Sequence, residues 1–131
     1  MKFHHIGIAV QNLKKANKYF KTLFQIKKTS KVFKDKNLKV NVQFLMEKKN
    51  IVYEIIEPAS KKSPISGALK ENRNILNHVA YISENFDLDC KKMRNNGAIP
   101  IGVATPAVAF KNKKIQFFYT KLKFLFEMIE K

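Results

Sequence analysis

Two histidines and two glutamates recur at one fixed spacing along this chain. His5 and His78 are 73 residues apart, and so are Glu54 and Glu127. Imidazole nitrogens and carboxylate oxygens together are typical ligands of divalent first-row metal ions. A duplicated unit that supplies one histidine and one glutamate per copy therefore predicts a metal site with four protein ligands.

The residues around these four positions repeat at the same spacing, without a gap. The corresponding segments are 5–8 and 78–81, 42–45 and 115–118, and 53–57 and 126–130. Gln43 and Gln116 are a further matching pair. Because one offset relates all of these segments, chance is a poor explanation, and we infer two copies of one structural unit.

Each glutamate alternates with aliphatic residues, as on the buried face of a strand. Val52 and Ile56 flank Glu54 in this pattern, and Leu125 and Ile129 flank Glu127. A buried carboxylate is costly unless it is neutralised, hydrogen-bonded or bound to a cation. The metal site is the favoured interpretation. The alternative is a pair of buried His–Glu hydrogen bonds that remain from an ancestral site.

Other polar residues near these positions have less specific patterns. Alternation along the strands predicts that Gln43 and Gln116 face the same side as the ligands, where they could contact a substrate. The alternative is that both glutamines are polar residues on a solvated sheet face. His4 is expected to point away from His5, towards the surface or an edge.

Both copies predict a strand, a helix and three further strands. The first copy places them at 3–10, 13–24, 28–34, 39–46 and 51–57, and the second at 75–82, 86–96, 99–104, 113–119 and 123–129. Asn12 and Asn85 are predicted helix N-caps. Pro64 is predicted to open a short helix in the connection, and Pro100 and Pro106 predict a short or edge strand. We expect a single domain over 1–131, with module 1 at 1–58, a linker at 59–71 and module 2 at 72–131.

Composition argues against several classes of protein. The net charge is +16, but it comes almost entirely from lysines spread along the chain, and the two arginines are Arg73 and Arg94. Specific nucleic-acid readout favours arginine, so we expect no nucleic-acid partner. No apolar run is long enough to predict a membrane partner. Cys90 is the sole cysteine and the first residues lack a signal-peptide pattern, so we expect a cytoplasmic protein.

The tandem module with His and Glu in this register resembles the vicinal oxygen chelate superfamily, which contains glyoxalase I, methylmalonyl-CoA epimerase, extradiol dioxygenases and bleomycin-resistance proteins. The segments most similar to the epimerase branch are 4–10, 53–58, 63–65 and 77–81. The resemblance implies an α+β fold in which two tandem βαβββ modules form an eight-stranded curled mixed sheet around a central cavity. It also implies one divalent ion (Zn, Ni, Co, Mn or Fe) on His5, Glu54, His78 and Glu127, and the possibility of a homodimer.

The chain departs from the family pattern at three places. Glu54 stands where the epimerases commonly carry glutamine, which makes the ligand set similar to that of bacterial glyoxalase I. The Glu-Gln-Gly-like stretch of the epimerases is replaced by residues 35–38, with Asp35 as the nearby carboxylate. The Asp-Pro-Asp-Gly-like turn of many glyoxalases is replaced by residues 119–123.

These observations lead to one main functional hypothesis. It is a metal-dependent isomerase or epimerase that stabilises an enolate next to a carbonyl of an anionic small molecule, with Glu127, or Glu54 by symmetry, as the base. The main alternative is a small-molecule-binding or resistance-type protein without catalysis. Oxygen activation at iron is disfavoured, because the second glutamate fills a position that oxygenases leave open.

Overall fold

The computed structural model of the chain describes residues 1–48, 50–73 and 75–131. These residues form nine strands and three α-helices. The strands are β1 (Lys2–Ala9), β2 (Ile26–Thr29), β3 (Phe33–Asp35), β4 (Val40–Glu47), β5 (Val52–Pro58), β6 (Leu76–Ser83), β7 (Ile99–Ala107), β8 (Lys113–Tyr119) and β9 (Leu125–Glu130). The helices are α1 (Leu13–Leu23), α2 (Ser66–Lys70) and α3 (Phe86–Asn95), and a short 3-10 helix spans Val108–Phe110.

The two long helices follow the first strand of each copy, as predicted, but they begin differently. Asn12 caps α1, because its Oδ1 accepts a hydrogen bond of 2.9 Å from the Lys15 N–H. Asn85 is the N-cap residue of α3, as predicted, but its side chain makes no capping hydrogen bond. Ser83 tethers this end of α3 instead, since its Oγ accepts from the Asn85 N–H and donates to Asp89 at 2.6 Å.

The predicted strand at 28–34 is two strands, which raises the number from the expected eight to nine. Both β2 and β3 pair antiparallel with β4. The pairing is interrupted at Ser30, whose Oγ accepts the Phe44 N–H at 2.9 Å. A side-chain oxygen thus replaces a backbone carbonyl in the ladder, and the register changes before β3 begins.

Strand β7 is an edge strand that pairs with β8, as its prolines predict, but it is not short. It runs for nine residues, and its pairing with β8 shifts register between Ile101 and Thr105. Gly102 lies in this interruption with a φ of 65°, a conformation that glycine adopts without the steric cost of a Cβ.

Cα packing divides the chain into two compact units. One comprises Ile6–Asn77, and the other comprises Met1–His5 together with His78–Lys131. In the first unit, β1 pairs parallel with β5, and β5 pairs antiparallel with β4. Its buried core under α1 contains Leu13, Leu45 and Ile55.

The second unit repeats this arrangement. Strand β6 pairs parallel with β9, which pairs antiparallel with β8. Its buried core under α3 contains Phe86, Cys90, Phe118, Phe126 and Met128. Parallel and antiparallel pairs therefore occur together beside few helices, and the predicted α+β class with a mixed sheet is confirmed. The curl around a central cavity stays a prediction. None of the described helices has the length and apolarity that a membrane crossing requires.

Candidate metal centre

The strand register repeats together with the sequence. Gly7 is the pairing partner of Glu54 in the parallel β1–β5 pair, and Ala80 is the partner of Glu127 in the parallel β6–β9 pair. Paired residues share a face of the sheet, and residues two apart on a strand do so as well. Glu127 therefore lies on the face that carries His78, beside a residue as small as alanine.

Three ligand-type atoms converge in the unit that contains both histidines. Nε2 of His5 lies 2.9 Å from Nε2 of His78, and each nitrogen lies 3.4 Å from Oε2 of Glu127. All three residues are buried, with exposed fractions of 0 %, 4 % and 2 % for His5, His78 and Glu127. The arrangement places one carboxylate oxygen and two imidazole nitrogens around a common point.

The donor atoms fit a divalent ion by both their chemistry and their spacing. Ligand atoms that lie about 2.1 Å from an ion are about 3.0 Å apart at a right angle and about 3.4 Å apart at the tetrahedral angle. The observed separations match these values. Moreover, among the described residues the buried Oε2 of Glu127 accepts no hydrogen bond. A buried carboxylate oxygen of this kind is costly in the absence of a cation.

Glu54 is the fourth predicted ligand and is also buried, at 5 % exposure, on β5. His5, Glu54, His78 and Glu127 each offer one ligand atom, and these atoms all lie within 4.8 Å of one another. This group could hold a metal ion, and the assignment of the four residues as its ligands stays a prediction.

Two phenylalanines pack against the histidine rings. The ring of Phe110 stacks on that of His5, with 6.0 Å between centroids and 13° between planes, and the edge of Phe117 meets His78 at 5.3 Å. Sequence reasoning missed both residues. The repeat could have indicated Phe117, because Phe117 pairs with Glu127 as Phe44 pairs with Glu54. No repeat or motif indicates Phe110, which lies in the short 3-10 helix.

His4 does not point away from its neighbour, so that prediction is wrong. Its Nδ1 lies 2.7 Å from Nδ1 of His5, and the two rings meet edge to face with 5.0 Å between centroids. Strand alternation determines the directions of the two Cβ atoms, whereas the rings beyond them turn back towards each other.

Gln43 does not share the face of Glu54, contrary to expectation. It pairs with Ile55, in the core under α1, whereas Glu54 pairs with Phe44 on the opposite face. Its Oε1 accepts from Asn17 of α1 at 2.9 Å, and its Nε2 donates to the backbone oxygen of Ser30 at 2.8 Å.

Gln116 has the equivalent orientation in the second unit. It pairs with Met128, in the core under α3, whereas Phe117 pairs with Glu127 on the other face. Its Nε2 donates to the backbone oxygens of Ile101 and Phe117, at 3.1 and 2.9 Å. The expectation of a shared face is wrong because a register difference of one residue reverses the side of the sheet. Substrate binding by the two glutamines stays a prediction.

The arrangement has counterparts among known proteins. The sequence model of the glyoxalase/bleomycin resistance protein/dioxygenase superfamily matches residues 4–117. The chain belongs to this superfamily. No curated protein matches it in sequence.

Similar folds occur among solved structures of this type. A hypothetical protein from Bacillus halodurans C-125 is 25% identical with a TM-score of 0.83, and the alignment covers 99% of this superfamily member and 94% of that chain. Methylmalonyl-CoA epimerase from Mycobacterium tuberculosis is 18% identical with a TM-score of 0.85, covering 98% and 87%. A variant of the Streptomyces coelicolor methylmalonyl-CoA epimerase in complex with 2-nitronate-propionyl-CoA is 19% identical with a TM-score of 0.78, covering 99% and 96%. These similarities establish the fold.

Proposed function

We propose that this protein is a metal-dependent isomerase or epimerase that moves a proton next to a carbonyl group of an anionic small molecule. The observation that supports it most is Oε2 of Glu127, which is buried between two imidazole nitrogens and accepts no hydrogen bond among the described residues. Such an atom is suited to a cation and to a proton.

His5, Glu54, His78 and Glu127 are the residues that would hold the ion. Imidazole and carboxylate ligands without a thiolate suit Zn, Ni, Co, Mn or Fe. When bound, a divalent ion of this kind supplies a Lewis acid for the oxygen of a substrate carbonyl.

Glu127 is the residue that we assign as the general base. Its carboxylate takes the proton from the carbon next to the carbonyl, the electron pair of the broken C–H bond forms the C=C bond of an enolate, and the π pair of the C=O bond moves to the oxygen. Return of a proton to that carbon, or to its neighbour, then gives the epimer or the isomer. Glu54 occupies the repeat-related position, so we assign it as the second acid–base group when the proton returns from the other side.

The charge of the protein supports an anionic substrate. A net charge of +16 attracts anions over long range and raises their rate of encounter with the site. Several structures with this fold are methylmalonyl-CoA epimerases, and some of them are complexes with 2-nitronate-propionyl-CoA or methylmalonyl-CoA. A CoA-linked or phosphorylated carbonyl compound is therefore the substrate class that we favour.

One observation favours the alternative of binding without turnover. Asp35 is the carboxylate closest in sequence to the position of the missing Glu-Gln-Gly stretch. It is buried, and its Oδ1 accepts a hydrogen bond of 2.9 Å from the Leu38 N–H. This bond closes the turn between β3 and β4, so Asp35 has a structural role there. A purified, metal-replete protein that retains a small molecule without converting it would support this alternative.

Deuterium exchange tests the proposed reaction. Protein loaded with each candidate metal is incubated in D2O with a panel of CoA thioesters and 2-oxo compounds, and deuterium at the carbon next to the carbonyl is measured. We expect exchange that requires metal and is lost in Glu127→Gln. Glu130→Gln is the matched control, since Glu130 lies on the same strand, outside the cluster, and bonds the Lys114 N–H. Metal-loaded protein that exchanges no compound of the panel would contradict the proposal.

A further inference from the structure

The imidazole rings of His4, His5 and His78 form a row at the candidate metal centre, in which neighbouring rings lie within hydrogen-bonding distance. Nδ1 of His4 is 2.7 Å from Nδ1 of His5, and Nε2 of His5 is 2.9 Å from Nε2 of His78. His5 is thus the middle member, with one ring nitrogen towards His4 and the other towards the cluster. Its ring is fully buried, at 0 % exposure.

A neutral imidazole carries its proton on one nitrogen only, so the His4–His5 contact has two arrangements. In the first, Nδ1 of His5 donates to Nδ1 of His4, and Nε2 of His5 presents a lone pair to the cluster. In the second, His4 donates, and the proton of His5 is on Nε2. A metal ligand needs the lone pair on Nε2, so the first arrangement alone is compatible with an ion bound there.

We propose that His4 is a positioning residue that accepts the Nδ1–H of His5 and thereby holds His5 in its ligating tautomer. The inference rests on the proposed metal site and assigns a role to a residue outside its four ligands. Phe110 supports the geometry, because its ring stacks on His5 and also meets the edge of His4 at a centroid distance of 5.5 Å. Both imidazoles are therefore oriented by the same aromatic ring.

Two substitutions separate hydrogen bonding from packing. His4→Phe keeps an aromatic ring beside Phe110 but offers no acceptor. His4→Asn loses the ring but places a carbonyl oxygen where Nδ1 was. We expect His4→Phe to bind Zn²⁺ about 10–100-fold more weakly than the unaltered protein, and His4→Asn to recover most of the affinity. Lys2→Ala changes an exposed residue of the same strand, so it controls for any general effect of a substitution in β1. Calorimetric titration with Zn²⁺ measures all four proteins.

Nuclear magnetic resonance observes the proposed bond directly in the unaltered protein, so the inference does not depend on whether a variant folds. In the Zn²⁺-loaded protein with ¹⁵N-labelled histidine, we expect a protonated Nδ1 on His5 and a scalar coupling across the hydrogen bond to Nδ1 of His4. Absence of that coupling, or equal Zn²⁺ affinity in His4→Phe, would overturn the role of His4 while leaving the metal site intact. Absence of Zn²⁺ binding by the unaltered protein would overturn the metal site and the inference together.

Discussion

Oε2 of Glu127 lies 3.4 Å from Nε2 of His78 and, among the described residues, accepts no hydrogen bond. The distance is too long for a hydrogen bond between these two atoms. It is close to the separation of two ligands around one ion. Oε2 of Glu127 is therefore a buried carboxylate oxygen whose desolvation no hydrogen bond from the described residues offsets.

The first prediction concerns Glu127→Gln. Without metal, this variant should unfold at the same temperature as the unaltered protein or higher, because it replaces a buried carboxylate oxygen that accepts no hydrogen bond among the described residues. With metal, the unaltered protein should gain about 2.7 kcal/mol when the ion is present at about 100 times its Kd, whereas the variant should gain little. Thermal unfolding with chelator and with added Zn²⁺ measures both effects. A metal-induced stabilisation of Glu127→Gln equal to that of Glu130→Gln would show that Glu127 is not a ligand.

The second prediction concerns Phe110→Ala. An aromatic pair contributes about 0.5–1.5 kcal/mol beyond the area that it buries, and here the stacking restrains a ligand ring. Since about 1.4 kcal/mol corresponds to a factor of ten, we expect metal affinity to fall by up to about tenfold. Titration with Zn²⁺ provides the measurement. Phe124→Ala, at an exposed phenylalanine, is the control, and an equal loss of affinity in both variants would argue against the stacking role.

The third prediction concerns Gln43→Ala. Gln43 bonds Asn17 of α1 and the backbone of Ser30, so its loss should lower the free energy of unfolding by about 1–3 kcal/mol. Metal affinity should be unchanged, because Gln43 lies on the face opposite Glu54. Chemical denaturation and Zn²⁺ titration measure the two quantities. Loss of metal affinity with unchanged stability would mean that Gln43 acts at the site.

The fourth prediction concerns pH. The hydrogen bond from Ser83, aided by Lys92, lowers the pKa of Asp89 below its usual value, although burial opposes this shift. Because the pKa is lower in the folded than in the unfolded protein, Asp89 contributes stability above pH of about 4, and this contribution is lost as the pH falls through the folded pKa.

Asp89→Asn should therefore be less stable than the unaltered protein near neutral pH, and the difference should shrink towards pH 2. Denaturant unfolding across this range measures it. Asp87→Asn, at an exposed residue in the same turn of α3, is the comparison. A difference that stays constant down to pH 2 would contradict the assignment.

The repeat carried much of the information in the sequence. A constant offset of 73 residues indicated a duplicated strand–helix–strand plan, and the structure shows it in the pairs Gly7–Glu54 and Ala80–Glu127. Alternation along β5 and β9 indicated buried carboxylates, because side-chain direction in a strand follows from the local backbone alone. The helices and the Asn12 cap were also predictable, because helix periodicity and capping depend on residues that are close together in the sequence.

Tertiary structure alone decided the features that depend on pairing between strands or on side chains beyond Cβ. The face of Gln43 follows from its pairing with Ile55, which alternation within a single strand does not specify. The stacking of Phe110 on His5 and the approach of His4 to the same ring arise from rotamers selected by packing. The sequence pattern therefore predicted the candidate metal ligands, whereas the residues that pack against those ligands were determined by contacts between segments far apart in the chain.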